Sequence, residues 1–257
     1  MVAELSKIPA HRRRLLLVGT EADRVGLELD RETRRLLVNP SLCFVDFDEA
    51  TQLNDPILQA LAAKGLFQVG DLLVQSLSAP NQYTRLSNIS DRTAELKLDV
   101  TVRVCQLLGA RRVEVRHAEF ESKGYSATRK VDAKVTGVAQ GNVKATSSTI
   151  EVGGLRLRSA WVFQGSAPHV DDADQALANS GLQDRALQSL VDFFRTTNWP
   201  TNHEFEISTT QEMRRIREIV SDLSIPATFK GHTELETFKA AETSYHFQLW
   251  VEFAPAR

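Results

Sequence analysis

The sequence predicts an α+β protein in which a central, twisted antiparallel sheet of long amphipathic strands is covered by helices. Three observations predict it. Apolar and polar residues alternate at the period of a strand through the middle third, helical stripes dominate the stretch that follows, and the chain closes on a second alternating run.

Taken in order, the basic opening (Lys7, Arg12, Arg13 and Arg14, with His11) leads into the apolar run 15–18, a short helix or strand entry ended by Gly19. Residues 25–29, 36–38 and 43–47 read as short strands between Asp, Asn and Pro turn signals. Asn54 or Asp55 caps a helix with Pro56 in its first turn and Gly65 past its end, which puts Ile57, Leu58 and Leu61 on one face. Residues 94–104 carry the strongest local pattern: Leu96, Leu98, Val100, Val102 and Val104 alternate with Lys97, Asp99, Thr101 and Arg103, which predicts a strand with one dry face. Alternation resumes at Val113 and Val115 and again at Val131 and Val135, with a turn at 137–142 before strands at 143–152 and 155–163. Phase slips at 117–120 and 149–150 predict bulges. Leu182, Ala186, Leu187, Leu190, Val191 and Phe194 form a helical stripe, and Thr209 with Glu212 resembles a capping box before a helix carrying Met213, Ile216, Val220 and Leu223. Tyr245, Phe247, Leu249, Val251 and Phe253 tie the C-terminus into a sheet. Without a repeat, a low-complexity tract or a Gly/Ser linker, residues 1–257 read as one continuous domain.

Composition narrows the class. A hydrophobic fraction of 42% with 25% charged residues is that of a globular, water-soluble protein and excludes disorder and fibrous repeats. The net charge of -2 exerts no general pull on nucleic acid or anionic lipid, so any basic chemistry is local. No signal peptide or membrane-spanning helix is evident, which points to the cytoplasm.

Enzymatic signatures are missing from the chain: there is no G-x-S-x-G elbow, no phosphate-binding loop and no G-x-G-x-x-G. The six histidines are dispersed without metal-ligand spacing, so no metal or other cofactor is expected. His169 with Asp171 and Asp172, and His203 with Glu204 and Glu206, read as solvated loops. Cys43 and Cys105 lie in apolar surroundings and read as buried, unactivated thiols. Basic residues here have aliphatic rather than aromatic neighbours, so nucleic acid is not an expected partner.

Between residues 111 and 158 ten basic residues stand against five acidic ones, a local excess of +5 that includes Arg111 and Arg112. With Lys7, Arg12, Arg13 and Arg14 this excess fits an acidic phospholipid surface, each charge contributing about 1 kcal/mol at most. A membrane-spanning strand needs about 9 to 11 alternating residues. Residues 94–104 meet that length, and residues 126–152 are long, alternating, rich in Ser and Thr, and free of proline. An ordinary half-buried sheet has the same pattern.

Three features together are similar to the pore-forming domain of the gasdermins, in particular the short fungal gasdermin-like cell-death proteins without a repressor domain. They are the basic segment at Lys7 and Arg12 to Arg14; the stretch Phe67, Gln68, Val69, Gly70, Asp71, Leu72, Leu73, Val74, Gln75; and the strands expected after it. The resemblance implies a non-enzymatic protein without a separate C-terminal inhibitory domain. Such a protein binds acidic phospholipid and assembles as a homo-oligomer, or as a hetero-oligomer with a related chain. It then passes from the cytoplasm into a β-barrel in the plasma membrane, causing cell death. By analogy, residues 91–120 and beyond supply the first inserting hairpin, carrying Leu96, Leu98, Val100, Val102, Val104, Val113 and Val115, with Val131 and Val135 in the following strands. The alternative is an intracellular β-rich binding or scaffold module whose basic face meets an acidic protein or nucleic acid.

Overall fold

Leu15, Leu16, Leu17 and Val18 are fully buried and form the strand β1 (Leu15–Gly19), entered through two single-turn 3-10 helices at Leu5–Lys7 and Ala10–Arg12. The computed structural model describes residues 5–31, 33–52, 54–123, 149–182, 184–196, 200–227 and 229–254. Two compact units emerge, one of residues 1–92 with 214–241 and the other of residues 93–213 with 242–257. The mixed α+β class is as the sequence predicts.

In the first unit Thr20 starts the helix α1 (Glu21–Leu29) with a reciprocal cap: its hydroxyl accepts from the Asp23 N–H, and the Asp23 carboxylate accepts from the Thr20 N–H. This cap overrides the strand expected at 25–29, where only Leu27 is buried. A short helix α2 (Arg34–Leu37) replaces the strand expected at 36–38. β2 (Leu42–Asp46) forms as predicted and runs parallel to β1. After α3 (Phe47–Gln52), Asp55 caps α4 (Pro56–Ala63), and Ile57, Leu58 and Leu61 face inward. β3 (Leu72–Gln75) lies antiparallel to β1 and β4 (Tyr83–Arg85) antiparallel to β3, completing a mixed sheet of order β2-β1-β3-β4.

The long helix α5 (Ile89–Leu107) contributes most of its length to the second unit, and it corrects the strongest strand prediction. Leu96, Leu98, Val100, Val102 and Val104 lie on this helix. Its buried residues are Ile89, Thr93, Ala94, Lys97, Leu98, Thr101, Val102, Val104 and Cys105, recurring mainly at spacings of three and four. Besides Thr93, two polar residues of the run 94–104 occupy this stripe: Lys97, paired with carboxylates, and Thr101, whose hydroxyl donates to the Lys97 carbonyl. Read as solvent-facing, those two positions turn a helical period into an apparent period of two.

Next comes β5 (Ala110–Lys123), flanked in the sheet by β8 (Ala160–Val162) and by β10 (Glu242–Phe253), which in turn pairs with β9 (Asn202–Ser208); the order is β8-β5-β10-β9, all antiparallel. Val113 and Val115 lie on β5 as expected. Opposite the step from Gln248 to Leu249 the β5 register skips Arg116, a bulge beside the predicted phase slip. The hairpin of β6 (Thr149–Val152) and β7 (Leu155–Arg158) turns on Gly153 and Gly154, both with φ above zero, the requirement of a two-residue turn of this hand. Val131, Val135, and the turn expected at 137–142 lie outside the described residues.

One side of the β5–β10 sheet is covered by α5, α6 (Val170–Asn179) and α7 (Arg185–Phe194). Leu98, Leu177, Leu187, Val191 and Phe194 share a core there with Val115, Phe247, Leu249 and Val251. α6 and β9 take the places of the loops expected at 169–172 and 203–206, and His169, Asp172, His203, Glu204 and Glu206 remain solvated as predicted. The remaining helices are α8 (Thr210–Val220) and α9 (Gly231–Ala240).

Candidate functional site: basic residues, a two-faced strand pair and a buried charge cluster

The basic N-terminal residues are not equivalent. Lys7, Arg12 and Arg14 are exposed, whereas Arg13 is buried and fully committed. Its guanidinium donates to the carbonyls of Ile8 (2.8 Å) and Pro80 (2.7 Å), to Asn81 Oδ1 (2.7 Å) and to Tyr83 Oη (2.9 Å). Tyr83 donates back to the Arg13 carbonyl at 2.9 Å. Arg13 is therefore a structural clamp that pins the entry of β1 to the β3–β4 turn, which corrects its assignment as a lipid contact. Arg14 points instead into a cleft of about 600 Å³ lined also by Asn39, Ser41, Gln75, Arg215 and Asp222.

Arg111 is exposed, while Arg112 is half-buried and held by Glu114 at 2.5 Å. The basic excess of the strand region is thus partly neutralised in place. On the solvated side of the sheet Arg116, the bulged residue, lies 4.9 Å over the Trp250 ring and 3.9 Å from Glu204. His246 faces Glu121 at 3.5 Å on the same side. The opposite side is dry: Val113, Val115, Ala118, Tyr245, Phe247, Leu249 and Val251 are buried. β5 is 14 residues long and β10 is 12, paired along their whole length, well above the usual five or six.

Sequence reasoning missed the cluster around Lys97. The Lys97 ammonium is buried and lies 2.8 Å from Asp184 Oδ2 and 3.0 and 3.1 Å from the two oxygens of Glu212, and it also donates to the Ser208 carbonyl. Asp184 simultaneously caps α7 through the N–H groups of Ala186 and Leu187. Thr209, read as half of a capping box with Glu212, accepts instead from the Tyr245 N–H at 2.8 Å. A buried lysine is tolerated only with such partners. The available signal was a lysine at the centre of a 3.6-residue stripe.

Cys105 is buried as expected, whereas Cys43 is only partly buried. Burial pushes Cys43 up to about 11, with Arg13 partly opposing, and burial pushes Cys105 up to about 12. Among the described residues no group of His, Cys, Asp and Glu side chains is arranged to hold a metal ion, and no helix is long and apolar enough to cross a membrane. Comparison with known proteins finds no match: no family model, no curated protein and no solved structure resembles the chain.

Proposed function

We propose that this chain is a non-enzymatic, membrane-acting protein of the pore-forming kind. Lys7, Arg12, Arg14 and Arg111 engage acidic phospholipid, copies of the chain or of a related one assemble, and a β-ribbon beginning on β5 enters the bilayer. Arg13 and the residues of α5 have no part in it. The observation that supports this reading is the length and two-facedness of the β5–β10 pair, each strand exceeding the roughly 9 to 11 residues a membrane strand needs. β5 also runs directly into residues 124–148, whose sequence continues the alternation, is rich in Ser and Thr, and lacks proline. Insertion requires barrel closure, because hydrocarbon tolerates no unpaired strand edge.

Dye release from liposomes with and without anionic lipid tests the reading. Release should require the anionic lipid and fall on charge reversal by Arg12→Glu with Arg14→Glu. A disulfide from Glu119→Cys with His246→Cys, positions facing each other across β5 and β10, should block release until reduced. No release at any lipid composition, with self-association established, overturns it.

A second reading, a β-rich binding module that stays in water, is favoured by one observation. Arg112 with Glu114 and Arg116 with Glu204 are already paired on the sheet, as on an ordinary solvated face. That reading predicts no release and unchanged solvent access of β5 on anionic vesicles.

A further inference from the structure

Asp184 presents its two oxygens to different chemistry. Oδ1 accepts from the backbone N–H groups of Ala186 (2.9 Å) and Leu187 (3.2 Å) at the start of α7, while Oδ2 lies 2.8 Å from Lys97 Nζ. A pair of backbone donors on one carboxyl oxygen is the arrangement that stabilises the oxyanion of an acyl transfer. Glu212 holds the same amine through both its oxygens, at 3.0 and 3.1 Å, within the reach required of a general base. The Lys97 and Glu212 side chains are 2% and 1% exposed and Asp184 is 9% exposed, so water is nearly excluded. Nucleophile, acyl carbon, base and oxyanion donors are thus fixed together before any reaction, the condition under which proximity is most effective.

We propose that Lys97 and Asp184 join in an intramolecular isopeptide bond, with Glu212 as its catalytic residue. Glu212 takes one proton from the ammonium and passes it to Oδ2, leaving a neutral amine beside a carboxylic acid. The Nζ lone pair attacks Cγ of Asp184, and the charge that develops on Oδ1 is held by the Ala186 and Leu187 N–H groups. A second proton leaves Nζ through Glu212 to the departing oxygen, the C–Oδ2 bond breaks, and one water is released. Glu212 ends as it began, and neither an oxidant nor a co-substrate is consumed. The product replaces a buried ammonium and a buried carboxylate by a neutral amide, which removes much of the desolvation cost of the cluster. Oδ1, now the amide oxygen, continues to cap α7.

The Lys230–Asp71 pair provides an internal contrast. Its nitrogen is also 3.1 Å from a carboxylate, but Lys230 is half-exposed and Arg85 holds the other Asp71 oxygen at 3.1 Å, so no carboxylate base accompanies it among the described residues. It should remain an ordinary ion pair.

The inference is independent of the membrane reading, and mass measurement of the denatured full chain tests it. The expected mass is lower than that of the sequence by about 18 Da, one water, as for any condensation between side chains. Proteolysis should yield a branched peptide joining Lys97 to Asp184, and Glu212→Gln should restore the full mass. The proposal is overturned by a full-mass wild type, or by a loss of water without the branched peptide, which marks a cyclic imide. Neither wild-type result depends on a variant folding. Persistence of the link in Glu212→Gln removes Glu212 from the chemistry.

Discussion

Arg13→Ala separates the structural role of this residue from the electrostatic one. The guanidinium makes four hydrogen bonds, three of them to half-buried acceptors that water reaches once the side chain is gone. Bonds from a charged donor contribute about 1.5–3 kcal/mol each when buried, but wet acceptors recover most of that. Tyr83 Oη keeps its bond to the backbone carbonyl of residue 13 in the variant. The expected loss is therefore about 3 kcal/mol, well above the ±0.5 kcal/mol typical of an exposed arginine such as Arg12 or Arg14. Trp161 and Trp250 lie on β8 and β10, so their fluorescence does not report β1 directly. Urea unfolding followed by far-ultraviolet circular dichroism, with hydrogen exchange of the β1 amides, does. Arg13→Lys should be nearly as destabilising, because an ammonium does not reproduce the planar fork. Wild-type stability in Arg13→Ala and Arg13→Lys, with reduced liposome binding only in the alanine variant, would refute the clamp and restore Arg13 as a lipid contact.

Three further outcomes are expected. Gly109 has φ of +87°, and a Cβ there would sit 2.5 Å from the Ser166 carbonyl oxygen, so Gly109→Ala should cost about 1–3 kcal/mol, read by tryptophan fluorescence on unfolding. Asp55 is opposed by burial, yet the N–H groups of Ser6, Leu58 and Ile57 outweigh it and hold the carboxyl below its usual range. Its stabilisation is complete above the ordinary carboxylate range and is lost as the pH falls through the depressed folded value. Asp55→Asn, which keeps a cap but does not titrate, should flatten the acid limb of stability measured by urea midpoints. Cys105, with a thiol raised to about 12, should resist iodoacetamide at pH 8, where about one part in ten thousand is thiolate, and react on unfolding.

Much of the second unit's sheet was legible in the sequence. Residues 245–253 alternate because β10 packs one face on helices and leaves the other in water, a local pattern that nothing distant alters. The α4 helix was equally legible, since Asp55, Pro56 and the following apolar stripe act within one turn of chain. The basic N-terminal segment could be read as charge but not as position. A guanidinium goes inside only where several acceptors converge, and those of Arg13 lie on Ile8, Pro80, Asn81 and Tyr83.

The α+β class and the closing strand follow from local patterns along the chain. The tertiary structure alone decided α5. Lys97 belongs to a buried helical stripe only because Glu212, 115 residues later in the chain, meets it there together with Asp184. An ammonium in the interior is permitted by its partners and not by its neighbours in sequence.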